Sequence, residues 1–164
     1  MNCPLEVCAA VIFHGGRLLL ATRRPGGHLA GKWEFPGGKV KAGETLVACI
    51  NRELQEELGL PVQQASLLFD VQHHYPEKTI HLHFLLCEID SDKAVHPREG
   101  QLVAWFQADQ LPLQNMVPAD RIAIEHIRRS NWMTQDEYSE APDTELPVLR
   151  NPVLTGLLQD WLRK

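Results

Sequence analysis

The sequence predicts an α/β (α+β) fold in which a central mixed sheet is packed between helices. Segments rich in β-forming residues lie on both sides of a short helical segment at 45–58, and a second helical segment follows the last of them. Elements in this order favour a sheet sandwiched between helices. The chain has 164 residues, of which 44% are hydrophobic, so it can form one well-packed domain but not two ordinary ones.

The first two strands are predicted at 7–13 and 17–22. The residues between them, His14, Gly15 and Gly16, favour a hairpin turn. The two segments are therefore expected to pair.

A basic, glycine-rich loop is predicted at 23–32, and a turn at 35–38 then leads into the helix at 45–58. Thr45 can accept hydrogen bonds from backbone N–H groups as the N-cap, and Gly59 indicates a left-handed cap at the other end. The apolar face expected to anchor this helix to a core consists of Val47, Ile50, Leu54 and Leu58.

Further strands are predicted at 65–71, 78–89 and 101–106, and Pro118 opens the second helix. The apolar side of that helix is expected to comprise Ile122, Ala123, His126 and Ile127. In the strand at 78–89, His81 and His83 project to the same side, which makes a metal pair geometrically possible. Because no third ligand lies nearby in the sequence, we expect structural histidines.

The domain is predicted to span 1–130, and 131–164 form a C-terminal extension. Within the extension, 133–148 are acidic and contain prolines, which favours a loop, and 152–163 have helical periodicity. This helix is expected to dock on its own domain, and the alternative is a contact between the subunits of a homodimer. Its apolar stripe consists of Leu154, Leu157, Leu158, Trp161 and Leu162.

The net charge of −5 and the pI near 5.9 argue against binding to duplex nucleic acid or to anionic membranes. No apolar stretch approaches about 18 residues, and no basic segment precedes an apolar one at the N-terminus. We therefore expect a cytoplasmic protein. The cysteines lack metal-site or redox spacing and lie in or beside apolar runs, so reduced, mostly buried thiols are expected at Cys3, Cys8, Cys49 and Cys87.

Three carboxylates, Glu53, Glu56 and Glu57, share one face of the predicted helix at 45–58, because a helix advances about 100° per residue. Like charges at this spacing repel each other by a few tenths of a kcal/mol. The cluster therefore indicates a neutralising cation, and a hard divalent ion suits its oxygen ligands. By itself, such a pattern is also typical of a solvated helix face.

The segment 38–60 contains more than these carboxylates. It follows the spacing G-x5-E-x7-R-E-U-x-E-E-x-G-U, where U is aliphatic, and it is preceded by Trp-Glu-Phe-Pro-Gly at 33–37. This string resembles the Nudix box, and residues 5 to about 129 resemble a MutT-type Nudix domain. The matching residues are Gly38, Glu44, Arg52, Glu53, Leu54, Glu56, Glu57, Gly59 and Leu60.

The resemblance implies an α-β-α sandwich with a catalytic loop-helix-loop. It also implies hydrolysis of a nucleoside diphosphate linked to another group, and for the MutT branch conversion of a nucleoside triphosphate to monophosphate and pyrophosphate. Arg52 would orient the carboxylates, Glu44 would support the loop, and either Glu53 or Glu99 would be the general base. The implied ligands of Mg²⁺, for which Mn²⁺ could substitute, are the Gly37 carbonyl, Glu53, Glu56, Glu57 and Glu99.

For the substrate, the resemblance points to Arg23 and His28 as phosphate contacts. The implied base pocket consists of the Phe35 backbone, Tyr75, Ile80, Leu82 and Asp120. An ionised Asp120 accepts hydrogen bonds only, so it could pair with the N1–H and 2-amino edge of guanine or with the 4-amino group of cytosine. The alternative for Asp120 is an ordinary carboxylate at a helix N-terminus.

The first substrate expected is 8-oxo-dGTP, whose hydrolysis cleanses the nucleotide pool for DNA replication and repair. The nearest alternatives are the pyrimidine nucleotides CTP, dCTP and 5-methyl-dCTP, and ADP-ribose is a further one. A different class of function is a non-catalytic, nucleotide-sensing module, which would be expected to lack box carboxylates. All of them are present here.

Overall fold

The computed structural model describes residues 3–90, 94–130 and 160–161. Over these ranges the chain forms eight strands, two α-helices and one short 3₁₀ turn. The strands are β1 Leu5–Val11, β2 Phe13–His14, β3 Arg17–Thr22, β4 Trp33–Glu34, β5 Gly37–Lys39, β6 Val62–Tyr75, β7 Lys78–Ile89 and β8 Val103–Phe106. The helices are α1 Leu46–Leu58 and α2 Pro118–Ser130, and the 3₁₀ turn is Leu113–Asn115.

The first sheet has the strand order β5-β1-β7-β6. Strand β1 runs parallel to β7, whereas the β1–β5 and β6–β7 pairs are antiparallel. The predicted mixed sheet is therefore confirmed. The register opposes Leu5 to Ile80 and Val7 to Leu82, which puts all four side chains on one face of the sheet.

The second sheet is built around β3, which pairs with β2 and β4 along one edge and with β8 along the other. The predicted pairing of 7–13 with 17–22 is thus correct only for the short hairpin of Phe13–His14 with β3. The rest of the first segment, β1, belongs to the other sheet. Its run from Cys8 to Val11 is buried throughout, as suits a strand covered on both faces.

The two helices pack on opposite faces of the first sheet. Helix α1 buries Ile50, Leu54 and Leu58 against a core that includes Ala10 and Leu85. On the other face, helix α2 buries Ala123, Ile124 and Ile127 in a core that includes Leu82 and Phe84. The predicted sandwich is confirmed, and it fixes the carboxylate-bearing helix on the sheet.

The ends of α1 are capped as predicted. The Thr45 side chain accepts a hydrogen bond from Ala48 N at 3.1 Å, and Gly59 adopts the left-handed conformation with φ 64°. One residue of the expected apolar face is misassigned. Val47 is 45% exposed, and Cys49, on the adjoining side of the helix, is buried in its place.

The prediction of reduced thiols is wrong for two of the four cysteines, because Cys8 on β1 and Cys49 on α1 are paired as a disulfide. Cys3 and Cys87 are free as expected, and of these Cys87 is buried and Cys3 is exposed. The pairing follows from packing, because α1 lies directly over the face of β1 that carries Cys8. Nothing in the sequence spacing signals it.

The predicted acidic loop at 133–148 lies outside the described residues, and so does all of the predicted helix at 152–163 except positions 160 and 161. Trp161 is fully buried in the same core as α2. Its indole N–H donates to Phe106 O at 3.1 Å, and its ring lies 5.6 Å from that of Phe13. This side chain therefore packs on its own domain.

Candidate active site

A cavity of about 450 Å³ opens where β1, β5, β7 and the two helices converge. One side carries carboxylates of α1, and the other side is apolar. Nine of the predicted site residues line it: Arg23, Phe35, Gly37, Glu53, Glu57, Tyr75, Ile80, Leu82 and Asp120.

Strand β5 lies close to α1 and to β1 at two successive glycines. A Cβ atom at Gly38 would lie less than 3.0 Å from all three atoms of the Glu53 carboxyl group. A Cβ at Gly37 would overlap the backbone carbonyl of Cys8 on β1. Gly38 thus lets the Glu53 carboxylate, in a residue only 8% exposed, rest against the backbone at the cavity wall, and Gly37 lets β5 approach β1.

Arg52 holds two of the box carboxylates at once. Its Nε and Nη2 donate to the two oxygens of Glu44 at 2.7 and 2.9 Å, and Nη1 donates to Glu53 Oε1 at 2.6 Å. The paired guanidinium, together with the backbone N–H of Lys41, lowers the pKa of Glu44 to about 2. Hydrogen bonding to Glu44 raises the pKa of Arg52 in turn. This geometry suits the orienting role expected of Arg52.

A second group of charges comprises Arg24 and Glu57, which line the cavity, and Glu99. Arg24 Nη2 is 2.7 Å from Glu99 Oε2 and 3.6 Å from Glu57 Oε1. Burial, followed by the charges of Glu53 and Glu99, raises the pKa of Glu57 to about 8. The three carboxylates therefore repel one another, and Arg24 relieves that repulsion only in part.

This arrangement fits a divalent cation. Glu99 Oε2 is buried and, although within ion-pair distance of Arg24, has no hydrogen bond of good geometry in the part of the chain that the structure describes. Crowded, under-satisfied carboxylate oxygens are the donors that Mg²⁺ and similar hard ions use. A bound cation would offset the repulsion from Glu53 and Glu99, which adds to the effect of burial in raising the pKa of Glu57.

Of the five predicted residues that are not in the cavity lining, Glu56 and His28 are exposed. Glu56, expected as a metal ligand, has a side chain that is 55% exposed, and its nearest charged partner is Arg52 Nη1 at 3.4 Å. His28, expected as a phosphate contact, is exposed, and its ring lies edge-on to Tyr75 with the centroids 6.3 Å apart. Both predictions relied on the sequence motif and loop position alone, which do not determine where a side chain points.

Asp120 lies at the apolar end of the cavity and is only 3% exposed. Its Oδ1 accepts a hydrogen bond from Phe35 N–H at 2.9 Å, so the Phe35 backbone donor expected to face the base is already used. Burial, followed by the charge of Glu34, raises the pKa of Asp120 to about 8. The raised pKa favours a protonated carboxyl group at this position, in contrast to the ionised acceptor expected from the sequence.

Arg23, the expected phosphate contact, lines the cavity and donates from Nη1 to Glu34 Oε2 at 2.9 Å. Burial raises the pKa of Glu34 despite this partner. The sequence analysis missed Glu34, Arg24, Leu5, Val7 and Lys39 in the cavity wall. Only the register of β1 against β7 could have found Leu5 and Val7, and that register is not visible in the sequence.

Comparison with known proteins agrees with this fold. The family model described as the NUDIX domain matches residues 4–127. An 8-oxo-dGTP diphosphatase of Escherichia coli K12 is 33% identical over 126 residues, which cover 76% of this chain and 97% of that protein. A CTP pyrophosphohydrolase of the same organism is 34% identical over 116 residues, covering 71% of this chain and 85% of that protein.

A solved structure gives the same result at the level of the fold. The crystal structure of a MutT NUDIX hydrolase from Burkholderia pseudomallei superimposes with a TM-score of 0.66 at 34% identity, covering 76% of this chain and 98% of that one. The chain belongs to the Nudix family and is of the MutT type. It is an enzyme that acts on phosphoric anhydrides, and enzymes of this family generally need a divalent metal ion. In the described ranges, no helix is both long and apolar enough to cross a membrane.

Proposed function

We propose that this protein is a Mg²⁺-dependent nucleoside triphosphate diphosphatase whose preferred substrate is 8-oxo-dGTP. The observation that carries the proposal is one cavity with two chemically different ends. Glu53 and Glu57 line one end, and the buried carboxyl group of Asp120 lies at the other, beside Ile80 and Leu82. A triphosphate with its metal ion suits the first end, and a flat base suits the second.

Glu53, Glu57 and Glu99, with the Gly37 carbonyl, would hold the metal ion. When bound, the ion neutralises phosphate charge and lowers the pKa of a bound water molecule. Arg52 keeps Glu53 in place through its hydrogen bonds to Glu44 and Glu53. Either Glu53 or Glu99 accepts the proton of the attacking water. The released products are the nucleoside monophosphate and pyrophosphate.

Base selection is assigned to the neutral carboxyl group of Asp120, which offers one O–H donor and retains an acceptor. On the edge of guanine that carries N7 and O6, both of these atoms are hydrogen-bond acceptors. In 8-oxoguanine, N7 carries a hydrogen, so the edge becomes one donor beside one acceptor and complements the neutral carboxyl group. Asp120→Asn, whose amide also donates and accepts, should therefore keep the preference, and Asp120→Ala should lose it.

Substrate profiling tests the proposal. Purified protein is assayed with Mg²⁺ on 8-oxo-dGTP, dGTP, CTP, 5-methyl-dCTP and ADP-ribose, and kcat/KM is compared. The proposal requires the highest value for 8-oxo-dGTP. The similarity to the CTP pyrophosphohydrolase makes CTP the second candidate, and a preference for CTP would show that the substrates are pyrimidine nucleotides. No preference for the oxidised base over dGTP would refute the assignment.

We further propose that residues 1–130 are the catalytic domain, that the extension 131–164 docks on it through Trp161, and that the enzyme acts in the cytoplasm, where nucleotides are found. The burial of Trp161 against Phe13 and Phe106 supports the docking. Light scattering after deletion of 149–164 tests the alternative of a homodimer formed through this segment. A fall in mass would favour the dimer.

A further inference from the structure

Strand β7 separates two groups of side chains. Ile80 and Leu82 face the substrate cavity, and the residues that alternate with them, His81 and His83, face the opposite side of the sheet. The two imidazole side chains are mostly buried, at 20% and 12% exposed. They play no part in the proposed reaction.

The parallel pairing of β1 with β7 supplies the third ligand that the sequence did not reveal. Glu6 lies opposite His81 in the register, so its carboxylate stands on the same face as both imidazoles. Glu6 Oε2 is 2.5 Å from His83 Nε2 and 3.3 Å from His81 Nδ1. One ligand atom from each residue lies within 4.8 Å of the other two, as a shared metal ion requires.

Asp70 on the neighbouring strand β6 adds a second, independent feature. Its Oδ2 lies 2.7 Å from His81 Nε2, the ring nitrogen that does not face Glu6. When Nε2–H donates to this carboxylate, the lone pair of His81 is left on Nδ1, directed toward Glu6 and His83. Histidines that bind metal ions usually make this second hydrogen bond to a carboxylate, which orients the ring and strengthens it as a ligand.

We propose that Glu6, His81 and His83 form a second metal site, distinct from the carboxylate cluster at the active site. Two imidazole nitrogens and one carboxylate oxygen suit a borderline ion of the Zn²⁺ class, whereas Mg²⁺ prefers oxygen ligands alone. The side chain of Glu6 is 45% exposed, so the ion can enter from solvent and keep a water molecule as a fourth ligand. A bound ion would tie β1 to β7 behind the substrate cavity.

The test is a Zn²⁺ titration of the full chain in excess Mg²⁺, with Co²⁺ as a spectroscopic probe of nitrogen ligands. Wild type should bind one tight equivalent, and the double variant His81→Ala/His83→Ala should lose it. The matched control is His74→Ala/His96→Ala, which removes two exposed histidines outside the cluster and should bind like wild type. Asp70→Asn should weaken binding by roughly 10–100-fold, because only the outer hydrogen bond is weakened.

Glu6→Gln tests the site even if the double variant does not fold, because it keeps both histidines and removes only the charged ligand. Circular dichroism establishes that each variant is folded, and Glu6→Gln should also lose the tight equivalent. Equal Zn²⁺ binding by wild type and the folded variants, or no tight equivalent in wild type, would overturn the proposal. The result is independent of nucleotide hydrolysis, so it does not depend on the proposed function.

Discussion

Gly38→Ala should lower the activity much more than it lowers the stability of the fold. The three atoms nearest to the added methyl group would all belong to the carboxyl group of Glu53, the flexible end of a side chain, at 2.5 Å from Oε2 and closer to the other two atoms. Ordinary contact begins at 3.4 Å, so the carboxylate must move by about 1 Å. A displacement of this size at a catalytic group can lower the rate by about 100-fold. The backbone of β5 need not move.

The assay compares kcat/KM with the free energy of unfolding for Gly38→Ala and for Gly15→Ala. Gly15 lies in the β2–β3 turn with φ 55° and open space around its Cβ position, so alanine there strains only the backbone. We expect Gly15→Ala to lose about 1–2 kcal/mol of stability and to keep full activity. Gly38→Ala with normal kcat/KM would refute the argument that Glu53 must occupy this position.

Three further predictions follow from the charges and the disulfide. The pKa of Asp120 is raised from 3.8 to about 8 in the folded protein, so the stability that this group contributes is complete below about pH 4 and is lost as the pH rises toward 8, by about 1.4 kcal/mol per pH unit. In denaturant titrations without metal, Asp120→Asn should flatten this pH dependence. Curves of stability against pH that run parallel for wild type and variant would contradict the prediction. In Arg52→Lys the lysine side chain cannot hold the carboxylates of Glu44 and Glu53 at once, so kcat should fall by roughly 10–100-fold with the fold intact. An unchanged kcat would show that catalysis does not need Arg52 to orient these carboxylates. Reduction of the Cys8–Cys49 disulfide should lower the free energy of unfolding by about 2–4 kcal/mol, and the stability of Cys8→Ser should not respond to reductant. If the thiols of Cys8 and Cys49 react in the untreated protein in addition to those of Cys3 and Cys87, the pairing is contradicted.

The parts of the molecule that could be predicted from sequence are those set by neighbours along the chain. Helix α1 is an example, because Thr45, Gly59 and the spacing of its apolar and acidic residues all lie within one segment. The order of strands and helices likewise predicted a mixed sheet. Local periodicity is a physical consequence of the backbone geometry and needs no tertiary information.

The parts that could not be predicted depend on register between distant strands. Glu6 joins His81 only because β1 pairs in parallel with β7, and Cys8 meets Cys49 only because α1 crosses β1. The raised pKa of Asp120 likewise arises from burial, which is not visible in the sequence. Such long-range contacts decide the second metal site and the chemistry of the base pocket.

Pyrophosphate release by wild type and by Glu53→Gln, measured with and without Mg²⁺ on the best substrate of the panel, tests the metal-dependent mechanism. In this mechanism hydrolysis requires the metal ion, and its rate falls by roughly 10²–10⁴-fold in Glu53→Gln, while thermal unfolding shows that the variant is folded. Hydrolysis at the wild-type rate by Glu53→Gln, or in the presence of a chelator, would contradict it.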